Sequence, residues 1–432
     1  MADDPIFAKC AWRLIPLITV IFFTNFLDRV NVGFAALTMN KDLGFTPAVF
    51  GFGAGVLFLS YALFQVPANI VLARVGAKRF VFSIMTLWAV FSASTAFIRG
   101  PTEFYILRFL LGAAESGFFP GMMYYLFLWF PAAYRARLAA TIIIGVPAAF
   151  VFGGPVSTLL LDMDGIAGLH GWQWMFVIEG APVLLLAVAV LKLLPDGPKH
   201  APFLTSNEKD FIAARLALED GSKPARTGAA FRDARIYALA LVLFAILGAL
   251  YGLLLWLPQI VQAMGFSNRE VGFIVALPAG ATAAAMVWWG RSSDVSGERV
   301  WHLTFAMLFG AAGFAMTAVS HSKLIQLLAI SAAFVGVLSS TPIIQNLPGT
   351  FLRGNAVAAG IGIFNTIGQF GGFVAPYIIG ITKEQSGSYA AGIMIIAAGL
   401  VIGALIVVAH RHTLATKFMA PLNGNLSKNK AT

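Results

Sequence analysis

Apolar stretches of about 20 residues recur along this chain and determine which solvent can surround it. A stretch of that length crosses the hydrocarbon core of a bilayer when it forms an α-helix. Backbone N–H and C=O groups find no water there, and a helix satisfies them within its own segment. We predict twelve membrane-spanning helices, at residues 13–36, 48–72, 79–98, 102–128, 136–160, 172–194, 236–260, 269–290, 300–320, 323–346, 355–382 and 388–409.

The composition supports this interpretation. Only 11% of the 432 residues are charged and 59% are hydrophobic, whereas a soluble domain carries about 25% charged residues. So few charges cannot cover a water-facing surface, which excludes an ordinary soluble protein. Cys10 is the only cysteine, so an intramolecular disulfide and a thiolate metal cluster are also excluded.

The distribution of positive charge predicts the orientation. Of the 29 Lys and Arg residues, two, Arg29 and Arg108, lie well inside predicted spans. With both termini in the cytoplasm, nearly all the others lie on cytoplasmic segments, as the positive-inside rule requires. The exceptions, on predicted outer loops, are Lys41, Arg99, Arg269, Lys323 and Lys383. The net charge of +10 is therefore a topology signal and does not indicate a nucleic-acid partner.

A polar central segment divides the spans six and six. We predict an N-terminal six-helix bundle at 1–195, a cytoplasmic linker at 196–235, a C-terminal six-helix bundle at 236–410 and a cytoplasmic tail at 411–432. Within the linker, Thr205 and Glu208 have the spacing of a capping box for a short amphipathic helix. The composition of residues 221–228 is typical of a flexible linker.

The two halves share a motif in short inner loops. Gly290-Arg-Ser-Ser-Asp294-Val-Ser-Gly297-Glu-Arg299 follows span 8, and a related stretch from Asn69 to Arg79 follows span 2. Both combine a predicted tight glycine turn with basic residues, which indicates two related halves about an axis along the membrane normal. We assign a gating role to Arg74, Gly76, Arg79, Gly290, Asp294, Gly297 and Arg299.

Five charged side chains lie well inside predicted spans: Asp28, Arg29, Arg108, Glu115 and Glu179. A charge at the bilayer centre costs roughly 2.5–3.5 kcal/mol on insertion scales, so such residues normally face a cavity and carry substrate or protons. The spacing of Arg108 and Glu115 places them on one helix face, about 10 Å apart along the axis. Asp28 and Arg29 repeat the combination of acid and cation in span 1.

These residue types suit anion and proton transport. A guanidinium stays charged and presents a planar fork that fits a carboxylate. Burial favours the neutral form of a glutamate and a nearby cation favours its charged form, so a proton can be loaded and released. The alternative is that the pairs join helices 1 and 4 as neutralised contacts, although apolar residues would pack as well. For Glu179 we favour a structural role, as a hydrogen bond between helices.

Several motifs resemble a known family. The inner loops are similar to the signature of the major facilitator superfamily, with Asn69 and Ala73 as departures in the first copy. Four stretches resemble the anion:cation symporters, which carry acids such as tartrate, phthalate and D-galactonate. They are residues 26–35, 108–137, 171–180 and 365–372.

The resemblance implies an all-α fold of twelve helices in two pseudo-symmetric bundles. It also implies protonation at Asp28 and Glu115, and contacts of Arg29 and Arg108 with the substrate or with those acids. Tyr61 and Asn365 are implied in binding. Asn365, Gln345, Asn346 and Gln369 are uncharged groups suited to hydroxyls or a second carboxylate, and each fits a packing role equally well.

Three departures from the resemblance bear on specificity. Phe26 and Gln65 stand where relatives often carry Tyr and Glu, and Ile344-Gln345 replaces an aromatic pair. A less aromatic wall favours an aliphatic acid over a benzoate.

The sequence therefore predicts an inner-membrane importer of a small organic anion, driven by proton symport and active as a monomer. An organic-anion exchanger or uniporter remains the alternative. No P-loop, H-E-x-x-H or G-x-S-x-G motif is present, so neither ATP-driven transport nor an enzyme is supported, and no cofactor or metal is expected.

Overall fold

The computed structural model describes residues 4–218, 231–352 and 355–412, and within these ranges the chain is helical with no strand. The helices are α1 (Pro5–Asp42), α2 (Pro47–Val75), α3 (Ala77–Ser94), α4 (Pro101–Glu115), α5 (Phe118–Trp129), α6 (Ala132–Ile143), α7 (Gly145–Leu161), α8 (Gly171–Leu193), α9 (Ser206–Ala217), α10 (Ala234–Ala263), α11 (Asn268–Ser296), α12 (Val300–Val319), α13 (Lys323–Asn346), α14 (Pro348–Phe351), α15 (Asn355–Ser386) and α16 (Ala390–Ala409). Short 3₁₀ turns occur at Thr95–Phe97, Ile166–Gly168 and Pro198–His200.

These helices make twelve crossings. In the described ranges, nine segments are long and apolar enough to span a membrane by length and composition. The other three crossings are α4 with α5, α11 and α15. Several helices extend beyond the predicted spans. For example, α1 begins at Pro5, where the Asp4 side chain accepts a hydrogen bond from the backbone N–H of Ile6 and caps the helix.

Two predicted spans are interrupted. Span 4 breaks at residues 116–117 into α4 and α5, and span 5 breaks at Ile144 into α6 and α7. Pro120 and Pro147 stand four residues after Ser116 and Ile143. A proline lacks the N–H that would bond to the carbonyl four residues earlier, and its ring crowds that carbonyl. Each of these two predicted spans therefore consists of two consecutive helices, and residues 132–161 together still qualify as one membrane span.

The packing repeats from one half to the other. Within the N-terminal half, α1 packs on α7, α2 on α4, and α3 on α8. The corresponding pairs of the C-terminal half, α10 with α15, α11 with α13, and α12 with α16, also pack. Between the halves, α2 packs on α15 and α7 packs on α11, which are counterparts of one another. The predicted pseudo-symmetric arrangement is confirmed.

The halves meet closely at the end predicted to face outward. A Cβ atom built at Gly51 of α2 would lie 2.5 Å from the carbonyl oxygen of Pro376 in α15. The corresponding distance from Gly154 of α7 to the carbonyl oxygen of Gly272 in α11 is also 2.5 Å. Real Cβ contacts are never this short, so glycine allows the two backbones to touch.

The linker helix forms as predicted. The Thr205 hydroxyl accepts from the backbone N–H of Glu208, and the Glu208 carboxylate accepts from the backbone N–H of Thr205, completing the capping box of α9. Lys9 of α1 donates to Glu208 at 2.9 Å, which fastens α9 to the N-terminal half. Residues 221–228, predicted as a flexible linker, and residues 413–432 of the predicted tail lie outside the described ranges.

Candidate functional site

The centre of the site is an ion pair between spans 1 and 4. Arg29 of α1 donates from Nε to Glu115 Oε2 at 2.7 Å, at the end of α4. Arg29 is 6% exposed and Glu115 1%. A buried charge needs a partner because the interior cannot solvate it, and here each residue supplies one to the other. The direct contact crosses from helix to helix, whereas the sequence analysis grouped Asp28 with Arg29 and Arg108 with Glu115, each within one helix.

Asp28 is stabilised by neutral donors. Its carboxylate accepts from Trp88 Nε1 at 2.7 Å, from Asn31 Nδ2 at 3.1 Å and from the Ser92 hydroxyl. Adjacent residues on a helix point about 100° apart, so Asp28 faces α3 while Arg29 faces α4. Three neutral donors therefore hold this carboxylate, and no cation among the described residues bonds to it directly.

Arg108 carries donors without protein partners. It is 1% exposed, and its Nε and Nη2 atoms have no hydrogen-bond partner among the described residues. Its charge interacts with Asp28, Glu115 and Arg29 at longer range. Buried polar groups are normally hydrogen-bonded, so two orphaned donors on one guanidinium indicate a place for a bidentate anion. Glu115 Oε1 is also buried without a partner.

Two tyrosines complete the surroundings of Arg29. The Arg29 guanidinium lies over the Tyr61 ring, 4.8 Å from its centroid, which is favourable because the ring face is negative. Arg29 Nη1 also donates to the Tyr251 hydroxyl of α10 at 3.3 Å. Tyr251 therefore links the C-terminal half to the charged cluster, defined here as Asp28, Arg29, Arg108 and Glu115.

Sequence reasoning missed four residues of this network: Asn31, Trp88, Ser92 and Tyr251. Each is a polar group inside a predicted span, and Trp88 and Ser92 are one turn apart on span 3. That spacing predicts a shared face, but the sequence alone does not say which helix the face meets.

The predicted amide residues of the C-terminal half have no direct contact with the charged cluster. Asn365 and Asn346 each donate to a carbonyl one turn earlier in their own helix. Gln345 is exposed in the last turn of α13. Gln369 of α15 has a buried Oε1 with no partner among the described residues, so it is the one with an unused buried hydrogen-bonding atom.

Glu179 of α8 accepts from the Ser157 hydroxyl of α7 at 2.7 Å. The predicted hydrogen bond between helices is therefore confirmed. Its second oxygen, Oε2, is buried without a partner among the described residues.

Each of the two signature loops contains a glycine with positive φ at the end of the preceding helix. Gly76, with φ of +87°, forms the turn between α2 and α3, and Gly297, with φ of +66°, ends α11. Both require a residue without a Cβ. Gly290 lies inside α11, because that helix continues to Ser296, so the glycine turn of the second motif falls at Gly297.

Asp196 supplies a carboxylate at the first loop, where this chain has Ala73 in place of the acidic residue of the signature. Its Oδ1 accepts from the backbone N–H of Lys78 at 2.8 Å, at the start of α3. Arg74 and Arg79 are exposed and Arg299 is partly exposed, while the Asp294 side chain lies outside the described part of the chain.

Among the described residues, no three His, Cys, Asp or Glu side chains group to hold a metal ion.

Comparison with known proteins extends these observations. The model of the Major Facilitator Superfamily matches residues 18–376 and 259–417. Two proteins of Agrobacterium vitis named as tartrate transporters are 46% and 44% identical to this chain. The alignment with the first relative covers 92% of this chain and 89% of the relative. The alignment with the second covers 98% of this chain and 97% of the relative.

A crystal structure supports the fold. It is that of a bacterial homologue of the human lysosomal transporter Spinster, inward-facing and unoccupied, with a TM-score of 0.78 at 16% identity. The match covers 96% of this chain and 98% of that one.

Proposed function

Because this chain belongs to the major facilitator superfamily and is a secondary transporter of organic anions, we propose that it imports a small aliphatic carboxylate by proton symport. A hydroxy-dicarboxylate or a sugar acid is the substrate class. The observation that carries the proposal is the buried guanidinium of Arg108, which has two donors without protein partners. The names of the two Agrobacterium vitis relatives support a hydroxy-dicarboxylate such as tartrate.

Arg108 is the primary anchor for a substrate carboxylate. Two parallel N–H donors match the two oxygens of a carboxylate, and charge assistance makes such bonds about twice as strong as neutral ones. Arg29 is already paired with Glu115 at 2.7 Å, so it becomes available to the substrate when Glu115 is protonated. Gln369, whose Oε1 is unpaired, would accept from a substrate hydroxyl when the halves enclose it.

Protonation of Glu115 couples the proton to the substrate. A protonated Glu115 no longer neutralises Arg29, and a substrate carboxylate takes its place beside the guanidinium. When the proton leaves, the ionised Glu115 competes again for Arg29 and favours substrate release. Asp28, held by three neutral donors, is the second protonation site. Its charge stabilises the charged guanidinium of Arg108, and that stabilisation is lost when Asp28 is protonated.

The described conformation fits an inward-facing stage of an alternating-access cycle. The backbones of α2 and α15, and those of α7 and α11, touch at the predicted outer end. Opening to the outside would separate these contacts as the halves rock. The positive-inside distribution supports an inner-membrane location with cytoplasmic termini. The charged cluster comes from one chain, which supports a functional monomer.

The test is the external pH of weakly buffered, de-energised cells during substrate pulses. The panel contains tartrate, other small dicarboxylates, aldonates and aromatic carboxylates. Alkalinisation with one aliphatic acid, absent in cells with the Arg108→Ala variant, is the expected result. Counterflow of a labelled acid without any pH change would instead indicate exchange or uniport, and would remove the proton roles of Asp28 and Glu115.

A further inference from the structure

Glu179 is a buried carboxyl group that the proposed cycle does not use. It lies in α8, 7% exposed, and α8 packs against α1, α3 and α7. The only polar atom that bonds it with good geometry, among the described residues, is the Ser157 hydroxyl, which donates to Oε1. One neutral donor stabilises an ionised carboxylate far less than the cation that Glu115 receives from Arg29.

Among the described residues, the charged group that interacts with Glu179 is another acid, Asp28 of α1. Arg29 is turned to Glu115. Ala89 and Ala93 of α3 approach Gly180, which follows Glu179 in α8. Lys78 and Arg79 lie about three helical turns before that part of α3. On α7, Ser157 is the polar contact.

Asn31 connects the two acids. Its Nδ2 donates to Asp28 at 3.1 Å, and its amide also interacts with the Glu179 carboxyl. Asn31 Oδ1 and Glu179 Oε2 are both buried acceptors without a donor among the described residues. A proton on Glu179 converts Oε2 from an acceptor into a donor. Oε2 is then no longer an unsatisfied acceptor, and it can donate a hydrogen bond to Asn31 Oδ1.

We infer that Glu179 is a further proton-coupling residue, which exchanges a proton during transport and is linked to Asp28 through Asn31. The inference rests on the proposed proton symport. The three donors to Asp28 and the single donor to Glu179 suit a protonated Glu179 beside an ionised Asp28, since two ionised carboxylates that interact repel each other. When the halves rock inward with Asp28 still protonated, that repulsion is absent and the Glu179 proton leaves to water on the cytoplasmic side; Glu179 takes its next proton from the outer side. The O–H bond of Glu179 is broken and its electron pair stays on the carboxylate.

The proton-to-substrate ratio tests this inference. Purified protein is placed in liposomes with a fixed substrate gradient, and the pH gradient at which net flux stops is measured. Glu179→Gln imitates the protonated acid and cannot release a proton. We expect this variant to transport with one coupled proton fewer, so that maximum accumulation falls about tenfold for each unit of pH gradient. A ratio equal to that of the native protein would overturn the inference.

Two controls separate the possible failures. If the native protein shows no dependence on the pH gradient, the proposed symport itself fails. If native transport is proton-coupled and Glu179→Gln keeps its ratio, only the role of Glu179 fails.

A second variant keeps the inference testable if Glu179→Gln does not fold. Ser157→Ala removes the donor to Oε1 without removing a titratable group. We expect an unchanged proton-to-substrate ratio and a pH midpoint of uptake shifted upward, because the ionised form of Glu179 loses its donor. An unmoved midpoint would contradict a proton-exchanging Glu179.

Discussion

The two halves of this transporter share one packing scheme and differ in chemistry. All five charged side chains that sequence analysis placed inside spans belong to the N-terminal half, and the structure buries each of them. In the described ranges, the C-terminal half buries only uncharged polar groups, such as Thr282, Ser339 and Ser340. The two pseudo-symmetric halves therefore contribute unequally: in the described ranges, the buried charges all come from the N-terminal half.

This asymmetry places the charges where they can compensate one another. Arg29 and Glu115 pair directly, and Asp28 and Arg108 interact at longer range. A half that carries its own compensated charges can move against an uncharged partner without exposing an unpaired ion to hydrocarbon. The C-terminal half contributes a tyrosine hydroxyl at the boundary, through Tyr251.

The largest expected effect is at Arg108. We expect Arg108→Ala to reduce substrate affinity by roughly a hundredfold or more, since losing one partner of a buried charged contact costs roughly 2–5 kcal/mol. Arg108→Lys keeps the charge but lacks the planar fork and should recover only part of the affinity. Equilibrium binding of labelled substrate measures both. Equal binding by the native protein and Arg108→Ala would refute the role of the N-terminal half as the anion-binding half.

The next effect separates coupling from binding. Glu115→Gln should abolish accumulation driven by a pH gradient while counterflow of labelled substrate continues, because the amide imitates the protonated acid. Uptake into vesicles with and without an imposed pH gradient provides the measurement. Continued concentrative uptake by Glu115→Gln would show that the proton is coupled elsewhere.

Tyr251 tests the boundary between the halves. Tyr251→Phe removes the hydroxyl that accepts from Arg29 and keeps the ring that stacks on Phe58 at 3.9 Å. We expect KM to rise about threefold to tenfold, the range for one hydrogen bond of about 0.5–1.5 kcal/mol. Initial uptake rates measure it. A loss as large as that of Arg108→Ala would mean that the C-terminal half holds a charge-binding group after all.

A smaller contrast is expected within the C-terminal half. Gln369→Ala should raise KM by about twofold to tenfold, because Oε1 of Gln369 is buried without a partner in the described conformation. Gln345→Ala, at an exposed position of the last turn of α13, should change KM less. A larger rise in KM for Gln345→Ala than for Gln369→Ala would show that the substrate binds nearer to the predicted cytoplasmic end of the bundle.

The smallest effect concerns the attachment of the linker to the N-terminal half. Lys9 and the backbone N–H of Thr205 lower the pKa of Glu208 below its usual range. The stabilisation is present above the ordinary pKa of about 4.3 and disappears as the pH falls through the lowered value. Glu208→Gln keeps the capping box and loses the ion pair. Its deficit in Tm at pH 7 should shrink as the pH falls below the ordinary glutamate pKa of about 4.3, and a constant deficit would assign it to the cap instead.

Much of the fold could be predicted because each span is a local pattern of apolar residues. The capping box of α9 was also local and correct. The breaks at residues 116–117 and at Ile144 were missed, although Pro120 and Pro147 mark them, since hydropathy does not register a missing N–H.

The buried charges were found, but their partners were not. Their identity follows from the rarity of charge in apolar spans, which the sequence displays directly. The pairing of Arg29 with Glu115 depends on which helix faces which, and on the 100° between neighbouring residues of α1. Donors such as Trp88 and Ser92 are ordinary residues of a membrane helix until α3 is placed beside Asp28.

The backbone contacts at the predicted outer end offer a way to destabilise the described conformation. A methyl group at Gly51 would act as a wedge, since the carbonyl oxygen of Pro376 is part of a helix and cannot swing aside as a flexible side chain does. Gly154 offers an equivalent position on the counterpart contact. Wedged protein should populate the outward-open form, which would provide a conformationally trapped sample for crystallography or for selecting state-specific antibodies.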